Sequence, residues 1–89
     1  MQTELYEKLA IGFYTDSHRN HSSLTTGLIE ETYEVSHAEA TGTRKEYLDE
    51  LGDVLWYVTV MAKEEGSSLE EIMTRNYNKL EQRALNGKK

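Results

Sequence analysis

Residues 43–66 read TRKEYLDELGDVLWYVTVMAKEEG, and this stretch decides the fold. It opens on Thr43 with Glu46 three residues on, a capping box in which each side chain satisfies a backbone N–H at a helix start. It closes at Gly66, a helix-ending residue. Between these ends apolar side chains occupy most of the helical circumference: Tyr47, Leu51, Val54, Leu55, Val58 and Met61, with Trp56, Tyr57 and Val60. A helix apolar nearly all round is buried on several sides. Set into it is Glu50-Leu51-Gly52-Asp53, a carboxylate pair three residues apart and so on one face.

The link before this helix, Thr41-Gly42-Thr43, is short enough to make the preceding helix its antiparallel neighbour. That helix begins near Ser22 or Ser23, either a good N-cap, and ends at Gly42. Its apolar residues are Leu24, Leu28, Val35 and Ala38, and it carries a second acidic motif, Glu30-Glu31-Thr32-Tyr33-Glu34. Glu31 falls between Leu28 and Val35 on the inward stripe, Glu34 lies one step round, and Glu30 and His37 stand toward the flank. Downstream, Ser68 and Glu71 repeat the capping box for a last helix that stops near Asn86-Gly87. Upstream, Leu5, Leu9 and Phe13 are spaced by four in a first helix from about Thr3 to Asp16, followed by a polar connection over residues 16–21. The expected fold is all-α: a four-helix antiparallel bundle-like single domain over residues 1–89, completed by oligomerisation because so short a chain buries a modest core.

Composition narrows the function. A net charge of -6 argues against a nucleic-acid partner, which would call for a basic patch. The absence of cysteine removes disulfides, zinc-thiolate sites and thiol nucleophiles together. No apolar run is long enough to cross a membrane, and Met1-Gln2-Thr3-Glu4 does not start a signal pattern, so a cytoplasmic location is expected.

The two acidic motifs are the chemical signal. Glu31, Glu34, Glu50 and Asp53 interrupt apolar stripes on adjacent helices, where like charges repel and lose hydration. Arg44 and Lys45 sit at the start of the third helix, beyond the reach of Asp53. A divalent cation with hard oxygen ligands, Mg²⁺ foremost and Mn²⁺ as an alternative, would compensate the cluster. The plainer reading of any such motif is a solvated helix face. Asn76, Lys79 and Arg83 form one stripe on the last helix and suit a polyphosphate, or else an exposed face pairing with Glu81. Trp56 and Tyr57 read most simply as core, with Trp56 also able to stack on a nucleobase. Glu34 and His37 make one E-x-x-H pair, but the di-iron arrangement needs two and no second exists. His18 and His21 read as surface residues of the connection.

Gly27-Leu28-Ile29-Glu30-Glu31-Thr32-Tyr33-Glu34 resembles the E-E-x-x-E motif of the MazG-like all-α nucleoside triphosphate pyrophosphohydrolases. Glu50-Leu51-Gly52-Asp53-Val54-Leu55-Trp56-Tyr57 is similar to their E-x-x-D helix, and Asn76 to Arg83 to the Lys/Arg/Asn segment that closes their site. The resemblance covers about residues 24–83. It implies Mg²⁺-dependent cleavage of a nucleoside triphosphate to the monophosphate and pyrophosphate, in nucleotide-pool house-cleaning. It further implies Glu31, Glu34, Glu50 and Asp53 as metal ligands, and Glu30 as support for them or as the group orienting the attacking water. Lys79 and Arg83, with Asn76, would hold phosphates. The family also implies a homodimer or homotetramer whose site is lined by more than one chain. This chain departs from the pattern at Ala84, where an aromatic is common, and in its short first helix, which bears on base choice; a deoxynucleotide such as dCTP falls within the implied class. A different class of reading is a non-catalytic helical interaction module whose acidic groove binds a cation or a basic partner.

Overall fold

The computed structural model describes residues 1–14 and 23–87. Four helices and no strand are present among them: α1 (Thr3–Ile11), α2 (Leu24–Thr41), α3 (Arg44–Glu64) and α4 (Leu69–Leu85). The expected residues His18 and His21 and the polar connection lie outside the described residues.

Local chemistry sets the ends. The Ser23 hydroxyl accepts from the Thr26 N–H at 3.1 Å and starts α2. At α3 both halves of the capping box are made: Glu46 N–H to the Thr43 hydroxyl at 3.2 Å, and Thr43 N–H to the Glu46 carboxylate at 3.3 Å. Gly66, at φ 71°, ends α3 with two bonds that close a Schellman turn, Gly66 N–H to Lys63 carbonyl and Ser67 N–H to Ala62 carbonyl. At α4 only half of the expected box forms. The Ser68 hydroxyl accepts from the Glu71 N–H, but the Glu71 carboxylate turns to the Ser67 hydroxyl and to Arg75. Helix α1 is shorter than its apolar spacing suggested. Its last turn tightens at Gly12, with Phe13 and Tyr14 bonding three residues back rather than four.

Helix α3 is the hub. It packs most extensively on α2, and α1 and α4 also pack against it and touch each other. Gly27 near the start of α2 meets Tyr57 far along α3, and Glu31 lies near Glu50 and Asp53, so the two helices run antiparallel as the short link required. The innermost side chains are Thr59 and Val60, both at 0% exposure, with the Thr59 hydroxyl returned to the Leu55 carbonyl. Leu51 and Leu55, expected inside, stay substantially exposed in the single chain. The spacing of Leu5, Leu9 and Phe13 likewise marks an exposed face of α1. Its inward side is Tyr6, Glu7, Ala10 and Ile11, because α3 and α4 approach there. The radius of gyration is 14.9 Å, against about 12 Å for a close-packed domain of this length. Four helices arranged this openly leave apolar faces on each of them in water.

Candidate metal centre

Helix periodicity turns Glu31 toward α3. The less exposed residues of α2 are Leu24, Gly27, Leu28, Glu31, Val35 and Ala38, one stripe with an acid in its middle. Across from it α3 presents Glu50 and Asp53 one turn apart. One carboxylate oxygen from each of Glu31, Glu50 and Asp53 lies within 4.8 Å of the others, close enough to share a single ion. Glu31 and Glu50 are half-buried, while Asp53 opens to solvent. Glu34 is exposed and outside this trio, although its charge is felt by Glu31; Glu30 is exposed beside it.

Electrostatics match the geometry. The Glu31 carboxyl is pushed up to about 7, by burial first, then by a proton shared with Glu50, then by the charges of Asp53, Glu50 and Glu34. Every charge acting on it is acidic. Burial and then the Glu31, Glu30 and Asp53 charges raise the Tyr57 phenol, and burial and then Asp53 raise Tyr6. Both hydroxyls therefore stay protonated beside the acids. Glu31 Oε2 is itself buried and has no hydrogen-bond partner among the described residues. A buried oxygen without a donor is costly unless a cation meets it. The three carboxylates gathered there supply hard oxygen donors that fit Mg²⁺ or Mn²⁺ and offer no soft ligand.

Next to the trio opens a cavity of about 340 Å³ lined by Phe13, Glu31, Asp53, Trp56 and Tyr57. Trp56 is not free core packing. Its indole N–H donates to the Ala10 carbonyl at 2.9 Å, and its ring stands edge-on to Tyr14 and Tyr57. Phe13 and Tyr6 join the site through α1. Neither was read from the sequence as a site residue, because α1 meets α3 across more than forty residues of chain.

Asn76, Lys79 and Arg83 are fully on the exposed side of α4. Neither cation forms an ion pair among the described residues. Glu81, the expected partner, accepts instead from the Tyr77 hydroxyl at 3.3 Å. His37 lies away from the trio, its ring near the Thr41 hydroxyl.

No helix among the described residues is long and apolar enough to cross a membrane. Comparison with curated proteins and with solved structures gives no match. The family model of the MazG nucleotide pyrophosphohydrolase domain matches residues 19–87, a span that contains both acidic motifs, Trp56, Tyr57 and the basic stripe. On that match, and with its acids gathered as described, the chain belongs to the MazG nucleotide pyrophosphohydrolase domain family.

Proposed function

We propose that this chain hydrolyses a nucleoside triphosphate, or its deoxy form, to the monophosphate and pyrophosphate, with Mg²⁺ or Mn²⁺ as cofactor, in nucleotide-pool house-cleaning. The observation that carries the reading is the grouping of the Glu31, Glu50 and Asp53 carboxylates, with one buried Glu31 oxygen lacking a hydrogen-bond partner among the described residues, in a chain of this family.

Glu31, Glu50 and Asp53 hold the ion, and Glu34, one turn from Glu31, is the fourth acid of the site. When bound, the ion offsets triphosphate charge and acidifies water for attack. Glu30 orients the attacking water. The triphosphate lies over the acids, and the nucleoside enters the cavity between Phe13 and Trp56. An indole fixed through its N–H to Ala10 is a rigid stacking surface, so little entropy is lost when a base meets it. Trp56 thus binds the base.

Asn76, Lys79 and Arg83 hold the phosphates that the ion does not reach. They are exposed, like the rest of α4 after Leu69, and only acidic charges act on Glu31, so a second copy is the natural recipient of this stripe. A homodimer, or a homotetramer of paired dimers, also covers the apolar residues left exposed on α3 and α4, such as Leu51, Leu55, Met73 and Leu80.

The test is incubation with a mixture of deoxynucleoside triphosphates and Mg²⁺, assaying pyrophosphate against orthophosphate. Pyrophosphate with the matching monophosphate is expected. Orthophosphate alone would mean another cleavage position, and no release from folded protein would favour a non-catalytic acidic interaction module.

A further inference from the structure

At Gly27 the aromatic ring of Tyr57 comes directly against the backbone of α2. A side chain there would set its Cβ 2.4 Å from Tyr57 Cε1 and 2.6 Å from both Cζ and the hydroxyl oxygen. Real Cβ atoms do not approach other heavy atoms so closely, so the phenol rests directly on the bare backbone of α2. Gly27 itself is buried and lies one turn before Glu31 on the same stripe. The phenol also meets Trp56 edge-on, with ring centroids 5.1 Å apart and the planes at 87°. Trp56 is in turn tied to Ala10 on α1. The phenol therefore touches both the bare backbone at Gly27 and the indole of Trp56.

We propose that Gly27 is a positioning residue of this site: by lacking a side chain it seats Tyr57 in the cavity wall and so sets the room left for the nucleoside. This rests on the reading of the cavity as a substrate pocket. The physical argument separates the pocket from the metal centre. The atoms that would collide with a Cβ are the far end of a side chain, so the ring gives way before the helices part. Tyr57 lines the cavity together with Trp56, so a displaced ring changes the room there. Glu31, Glu50 and Asp53 are carried by the backbones of α2 and α3, which need not move. A side chain at position 27 thus reshapes the pocket and leaves the ion's ligands in place. Glycine is otherwise a poor choice for a helix interior, and no positive φ calls for it there.

The experiment is a double-mutant cycle of Gly27→Ala and Tyr57→Ala, read in kinetics, thermal melting, Mn²⁺ titration without nucleotide, and the emission of Trp56, the single tryptophan. Gly27→Ala alone should raise KM by about tenfold or more, as overpacking does, with kcat within a factor of about three. Its Mn²⁺ affinity should match wild type, and its Trp56 emission should shift as the phenol moves. Stability should reverse sign between backgrounds. Gly27→Ala lowers Tm when Tyr57 is present, and raises it by roughly a few degrees in Tyr57→Ala, where only the better helix propensity of alanine remains. In that background it should also add no further change in KM. Equal effects of Gly27→Ala in both backgrounds, or loss of Mn²⁺ affinity, would overturn the assignment. A wild-type protein that releases no pyrophosphate removes the proposed activity instead, and the reversal in Tm then decides the seating of Tyr57 by itself.

Discussion

A carboxyl group held near neutrality by its neighbours makes Glu31 the residue on which pH acts most directly. Its pKa is raised from 4.5 to about 7 in the folded, metal-free chain. The folded state therefore holds this proton more tightly than the unfolded chain does. That contribution is complete below the unfolded value and is lost as pH rises through the folded one. In chelator, Tm should fall between about pH 5 and about pH 8, and Mg²⁺ should remove the fall by replacing the proton as the neutralising charge. Glu31→Gln should flatten the profile and raise the metal-free Tm at about pH 8. Melting curves in chelator that do not change over this range would take Glu31 out of the acidic trio. Glu50→Gln and Asp53→Asn act at the same place. Each should lose turnover in Mg²⁺ by about a hundredfold or more, while far-UV circular dichroism keeps its helical signal, because a lost charge relieves repulsion. Full activity of either variant would reject the ligand set.

Among the elements, α1 does more than a nine-residue helix suggests. The Glu7 carboxylate accepts from the Leu69 N–H at 2.6 Å, so α1 supplies a cap to the first turn of α4 in addition to the cap from Ser68. Its other end receives the Trp56 indole. Removing a charged cap of this kind costs about 1 kcal/mol or somewhat more, equivalent to roughly 4–8 °C in a domain of this size. Glu7→Ala should lower Tm by about that amount, whereas Glu7→Gln, which keeps an acceptor, should lower it less. Equal melting of Glu7→Ala and wild type would mean that α4 is held without this contact. On α4 itself, Lys79→Ala and Arg83→Ala should each weaken triphosphate use by about tenfold, with Mn²⁺ affinity unchanged, because a cation does not ligate a cation. Unchanged kinetics in both would leave the stripe as a solvated face.

At the scale of the whole molecule, much apolar surface is left uncovered in the single chain. The chain exposes 7017 Å², whereas a close-packed monomer of this mass exposes about 5,400 Å². The excess, roughly 1,600 Å² per chain, is on the scale that each partner buries in an obligate homodimer. Sedimentation equilibrium at micromolar concentration should accordingly give a dimer or tetramer. A stable 10.3 kDa monomer would contradict this.

The sequence by itself determined the features that depend on neighbours within a helical turn or so. Caps at Ser23 and Thr43, the stop at Gly66 and the inward turn of Glu31 are all set by spacings of three or four residues, and periodicity reports those directly. The short link after Thr41 carried the argument one step further, to the pairing of α2 with α3 and the approach of Glu31 to Glu50 and Asp53. Tertiary structure alone decided the rest. Leu5 and Leu9 have helical spacing yet face outward, because the side of α1 that is buried depends on where α3 and α4 lie. The Trp56 bond to Ala10 spans 46 residues and the Glu7 cap on α4 spans 62, distances over which no local propensity acts. The seat of Tyr57 on Gly27 belongs to the same class. A missing side chain leaves no pattern in a sequence, and its consequence exists only where another helix comes close enough to use the space.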